Sequence, residues 1–137
     1  MWWIYALLSA FFAALTAIFA KIGIKNIDSD LATAIRTIVI LFLAWGIVMF
    51  KGALNGVASL SKMNLMFIVL SGVATGLSWI FYFRALQLAP VSKVAPVDKL
   101  SLAFAIVLAV IFLGEPLSWK TAFAALLIIA GTIIMIY

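Results

Sequence analysis

Polar residues in this chain are confined to short islands, and the apolar runs between them are continuous rather than alternating. A helix crossing a hydrocarbon core of about 30 Å needs about 20 mainly apolar residues at a rise of about 1.5 Å each. Five runs meet that length: 2–20, 31–50, 63–84, 91–113 and 119–136. Barrel strands would be alternating segments of about 10 residues, so the pattern predicts membrane helices and no barrel.

The first run, WWIYALLSAFFAALTAIFA, is uncharged and ends at Lys21. It lacks a basic stretch ahead of it and is expected to be a retained span, not a cleaved signal, with Trp2, Trp3 and Tyr5 forming an interfacial belt. The link KIGIKNIDSD (21–30) ends in Ser29 and Asp30, the expected caps of the second helix. KGALNGVASLSK (51–62) reads as a surface loop. Pro90 is expected near the start of the fourth helix and Gly114 just past its end, with Ser118 capping the fifth. The predicted architecture is an all-α integral membrane protein, with five spans forming one transmembrane domain over residues 1–137.

Composition gives the same class by a second route. Hydrophobic residues make up 69% of the chain and charged ones 9%, against about 45–50% and about 25% in a soluble domain. The net charge of +5 comes from basic residues scattered at the ends of apolar runs. That placement suits lipid headgroups and predicts no nucleic-acid partner. With no cysteine and no histidine, a Cys or His metal site or nucleophile cannot be built, so no metal, cofactor or enzymatic activity is expected.

The stretch PVSKVAPVDKLS (90–101) departs from this pattern by placing charges inside a span. Counted from Pro90 to Gly114, Asp98 lies about 6 Å and Lys99 about 4.5 Å from the midplane. A charge at that depth usually faces a bundle interior or a wet cavity. As neighbours projecting about 100° apart, the two are expected to need separate partners. Arg36, Arg84 and Lys93 are candidates for Asp98; for Lys99 a substrate, a backbone carbonyl or a lipid phosphate would have to serve. Pro96 removes one helical hydrogen bond and frees the Ser92 carbonyl, predicting a kink beside a lined cavity. The plainer alternative has Lys93 and Lys99 snorkelling to headgroups and Asp98 in a fixed ion pair. Arg36, about five residues into its span, fits either a site or a packing role, and Arg84 fits an interfacial anchor.

In WIFYFR (79–84), Trp79 and Tyr82 share a helical face and could hold an organic or cationic solute by stacking, although such clusters also form interface belts. Gly72 and Gly76 allow close helix approach, as do Ser101, Ala105 and Ala109 on the Asp98 face, either within the chain or between copies. An odd number of spans puts the termini on opposite sides. Lys51, Lys62 and Lys120 fall on the N-terminal side; Lys21 and Lys25 fall on the other, toward which Arg36, Arg84, Lys93 and Lys99 lean. The resulting bias toward an inside C-terminus is weak, leaving mixed orientation open. Five helices enclose little beyond their own contacts, and transporters commonly place the site between inverted repeats, so a homodimer is expected to supply the second repeat.

YFRALQLAPVSKVAPVDKLS followed by GEPLSWKTAFAALLIIAGTIIMI resembles the EamA-type repeat of the drug/metabolite transporter superfamily, in its small single-repeat bacterial and archaeal branch. The likeness spans essentially the whole chain and is strongest over 85–101 and 112–120. It implies a multi-pass cell-membrane secondary transporter of small metabolites or amino-acid-like solutes, paired antiparallel and alternating access by rocking. Pro96, Asp98, Lys99 and Ser101 match family-typical positions. The four-helix multidrug exporters are a poorer match, because their acidic residue in the first helix has no counterpart in 2–20. The leading expectation is a transporter with Asp98 as a protonatable or ion-paired switch. The competing one is a non-transporting accessory subunit packing through Gly72 and Gly76.

Overall fold

Backbone N–H and C=O groups in hydrocarbon must pair within their own segment, which makes the helix the default for each apolar run. A computed structural model describes residues 1–137 and contains helices α1 (Trp2–Gly23), α2 (Ser29–Phe50), α3 (Lys62–Leu88), α4 (Val91–Asp98), α5 (Leu100–Leu113) and α6 (Trp119–Ile136). With α4 and α5 counted as one span, Val91–Leu113, five segments are long and apolar enough to cross a membrane.

The helix ends correct several expectations. Asp28, and not Ser29 or Asp30, caps α2: its Oδ1 accepts from the backbone N–H groups of Asp30 at 2.9 Å and Leu31 at 3.0 Å. The extended backbone at Asp28, φ −59° and ψ 134°, brings its carboxylate over the first turn. Ser29 thereby becomes the first helical residue, and its carbonyl accepts from Thr33 Oγ1 at 2.9 Å. The stretch read as loop 51–62 contains a 3-10 helix, Ala53–Ser59. α3 runs past residue 84 to Leu88, and the extra turn carries the fully buried Leu86, at 0% exposure. At the end of α5 the expected cap is present: Gly114 adopts φ 67°, and the Glu115 N–H returns to the Ala109 carbonyl. Ser118 caps α6 as expected, accepting from Thr121 N–H at 3.0 Å.

Two compact units divide the chain, Met1–Ile18 with Leu88–Tyr137, and Phe19–Gln87. In the first, α6 packs along α4 and α5. In the second, α2 contacts the 3-10 helix, and polar side chains tie the segment before α2 to the end of α3. Gln87 Nε2 donates to the Ile27 carbonyl at 2.6 Å, and Lys21 Nζ donates to the Leu86 carbonyl. Most large apolar side chains remain exposed. In a bilayer they face lipid as apolar as themselves, so burying them brings little gain, and helix association rests on packing and polar contacts.

Candidate functional site

Arg36 lies on α2 about 5 Å along the axis from the middle of the helix. Its guanidinium sits over the Trp79 ring of α3, 3.3 Å from the centroid, and 5.4 Å from that of Phe83. Trp79 is held by edge contacts with Tyr82 at 5.6 Å and Phe83 at 5.8 Å. A charged residue at mid-helix depth costs about 2.5–3.5 kcal/mol on insertion scales, and a desolvated cation–π contact returns about 2 kcal/mol. The stack therefore offsets most of the cost of holding this charge. The two carboxylates of the same unit are engaged elsewhere, Asp28 in the helix cap and Asp30 at 3.4 Å from Ser29 Oγ. The expected sharing of a face by Trp79 and Tyr82 holds, and the ring contact makes Trp79 a platform for Arg36.

The second cluster surrounds an interruption in the fourth span. A simple kink at Pro96 was expected, but the helix breaks three residues later, at Lys99, where α4 ends and α5 begins. The Pro96 carbonyl accepts from the Lys99 N–H at 3.1 Å and from Thr132 Oγ1 of α6 at 3.1 Å. Thr132 is 4% exposed, and its hydroxyl also lies 2.9 Å from the Ile128 carbonyl. A buried side chain thus holds the break in place.

Asp98 and Lys99, expected to need separate partners, pair with each other: Lys99 Nζ lies 3.3 Å from Asp98 Oδ2. The long lysine stem reaches back where the helix is interrupted, overriding the angular separation of neighbouring side chains. Their side chains are 35% and 53% exposed in the isolated chain. Arg36 and Arg84, proposed partners of Asp98, belong to the other unit. Lys93 Nζ instead approaches the Ile136 carbonyl at 3.5 Å, near the end of α6, where a cation is favoured.

The small residues are spread more widely. Ser101 and Ala105 of α5 are exposed, Ala109 is half-buried, and Ala103 is the buried small residue. A Cβ added at Gly72 or Gly76 would meet nothing within 4 Å. A shallow groove of about 250 Å³ among Trp45, Val48, Val57 and Leu60 has an almost wholly apolar lining and no charged group. Phe83 and Thr132 escaped the sequence reading. Phe83 stands four residues from Trp79, a spacing that signals a shared face; Thr132 carried no signal beyond being a hydroxyl in an apolar run.

The full chain, residues 1–137, matches the EamA-like transporter family. A protein of Sinorhizobium sp described as "Uncharacterized transporter in cobO 3'region" is 46% identical over 134 residues, covering 98% of this chain and 95% of that one. No solved structure matches significantly. A full-length family match, a close full-length relative and five membrane-length helices agree: this chain belongs to the EamA-like transporter family and is a multi-pass membrane transporter.

Proposed function

We propose that the protein is a secondary transporter that moves a small organic metabolite or amino-acid-like solute across the cell membrane by alternating access, working as an antiparallel homodimer. The observation that carries this reading is the Arg36 guanidinium stacked on Trp79 near the middle of α2, a charge kept at depth without a carboxylate from its own unit. Intramembrane charges of this kind mark solute and ion pathways. Arg36, Trp79 and Tyr82 contact the solute. Asp98, Lys99 and Ser101 flank the helix break and couple solute engagement to its movement, with Pro96 as the flexible point. The residues 1–137 act as one transmembrane domain supplying one repeat, and the second copy supplies the other. Gly72 and Gly76, where an added Cβ would meet nothing within 4 Å, support helix contact between copies.

Because the chain has no cysteine, single labels at Asn55→Cys and Tyr137→Cys can be read without background. With membrane-impermeant reagent, labelling of each site from both faces is the expected result; a single orientation sinks the antiparallel pair. Solute flux by the purified, reconstituted protein tests the transport reading. No flux, together with an obligatory co-purifying partner, favours the accessory subunit instead.

A further inference from the structure

Arg36 is placed to present the edges of its guanidinium while its face is occupied. With Cζ only 3.3 Å from the Trp79 centroid, an N–H aimed at the ring would clash with it, so the guanidinium lies flat on the π surface and its N–H groups point outward in its own plane. No carbonyl, hydroxyl or carboxylate of its unit accepts from them: Thr33 and Thr37 hydroxyls bond back to Ser29 and Thr33 carbonyls, and Asp28 and Asp30 serve the start of α2. A stacked guanidinium with open edges is a fixed fork, and its geometry matches two oxygens of a planar oxyanion. The stack on a ring already ordered by Tyr82 and Phe83 reduces the rotamer freedom lost when such an anion is bound.

We infer that Arg36 is the anion-binding residue of the transport site, and that the transported solute carries a carboxylate or an equally planar oxyanion engaged two-pronged by the Arg36 edge, with Trp79 as its backing platform. This rests on the transport reading above and narrows it from any small organic solute to an organic anion or zwitterion. The same N–H edge also fits a lipid phosphate. Its depth, about 5 Å from the middle of α2, favours a solute over a headgroup.

The test is calorimetric titration of the full chain in lipid-free detergent micelles with sodium benzoate, its neutral isostere benzamide and, separately, phosphatidylglycerol. Saturable benzoate binding, at least about tenfold tighter than benzamide, is expected because only the anion gains charge-assisted bonds. Arg36→Gln should abolish the preference. Arg36→Lys should recover only part of it, since an ammonium keeps the charge but loses the fork. Arg84→Gln, on the exposed side of α3, should leave benzoate binding unchanged. No saturable benzoate binding, equal binding of benzamide, retention of the preference in Arg36→Gln, or binding of phosphatidylglycerol but not benzoate overturns the assignment. Failure here is distinguishable from failure of the transport reading. Arg36-dependent benzoate binding with no flux in proteoliposomes removes transport but keeps the anion site, whereas flux of a neutral or cationic solute without benzoate binding does the reverse.

Discussion

The Thr132 hydroxyl of α6 lies 3.1 Å from the Pro96 carbonyl of α4, joining two helices at the turn before the Lys99 break. Pro96 lacks an N–H and perturbs the ladder around it, and the buried threonine adds a second donor to a carbonyl that already accepts from the Lys99 N–H. The bond ties the interruption to a neighbouring helix, so the break is a defined joint in the first unit.

Thr132→Val removes the donor while keeping the shape. Hydrogen bonds between membrane helices average about 0.6 kcal/mol and reach about 1.7 kcal/mol, so thermal unfolding in detergent should show a small destabilisation in that range. Thr132→Ser, which keeps the hydroxyl, should retain most of the stability. A valine variant as stable as the parent, with unchanged transport, would remove the joint from the account.

Arg36 and Trp79 should be energetically coupled. A double-mutant cycle with Arg36→Gln and Trp79→Leu, read as unfolding free energy in detergent, is expected to give a coupling of about 1–2 kcal/mol. Additive losses would mean that the 3.3 Å stack contributes nothing beyond the separate side chains.

Asp98→Asn takes the negative charge from Lys99. Transport by reconstituted protein is expected to be lost with the dimer intact. Unchanged flux and unchanged pH dependence of flux would exclude Asp98 as the switch.

Gly76→Leu should leave the helices of the single chain folded, since no atom lies within 4 Å of the new Cβ. Cross-linking in micelles should show dimer association weakened about tenfold or more, equivalent to about 1.4 kcal/mol. A dimer unaffected by leucine at both Gly72 and Gly76 would place the interface on another face.

Asp28→Ala removes the acceptor for the Asp30 and Leu31 N–H groups. Loss of a capping side chain costs about 1 kcal/mol, and hydrogen exchange should accelerate in the first turn of α2 while α6, capped by Ser118, is unaffected.

Hydrophobic length alone determined the membrane class and the five spans of this chain, because lipid leaves a continuous apolar run no alternative to a self-satisfied helix. Local chemistry was equally legible at Gly114 and Ser118, whose caps depend on only a few neighbouring residues. The pairing of Asp98 with Lys99 was misjudged from neighbouring-residue geometry, since a broken helix relaxes the angular rule. Other features were decided by tertiary structure. Whether Arg36 faced lipid, a carboxylate or a ring depended on α3 bringing Trp79 and Phe83 to it. Which side chain meets the break in the fourth span, Thr132, 36 residues beyond Pro96, depended on α6 packing along α4. A run of apolar residues states that a helix forms, but its polar side chains take partners from whichever helix packs beside it, and that choice is made only when the helices assemble.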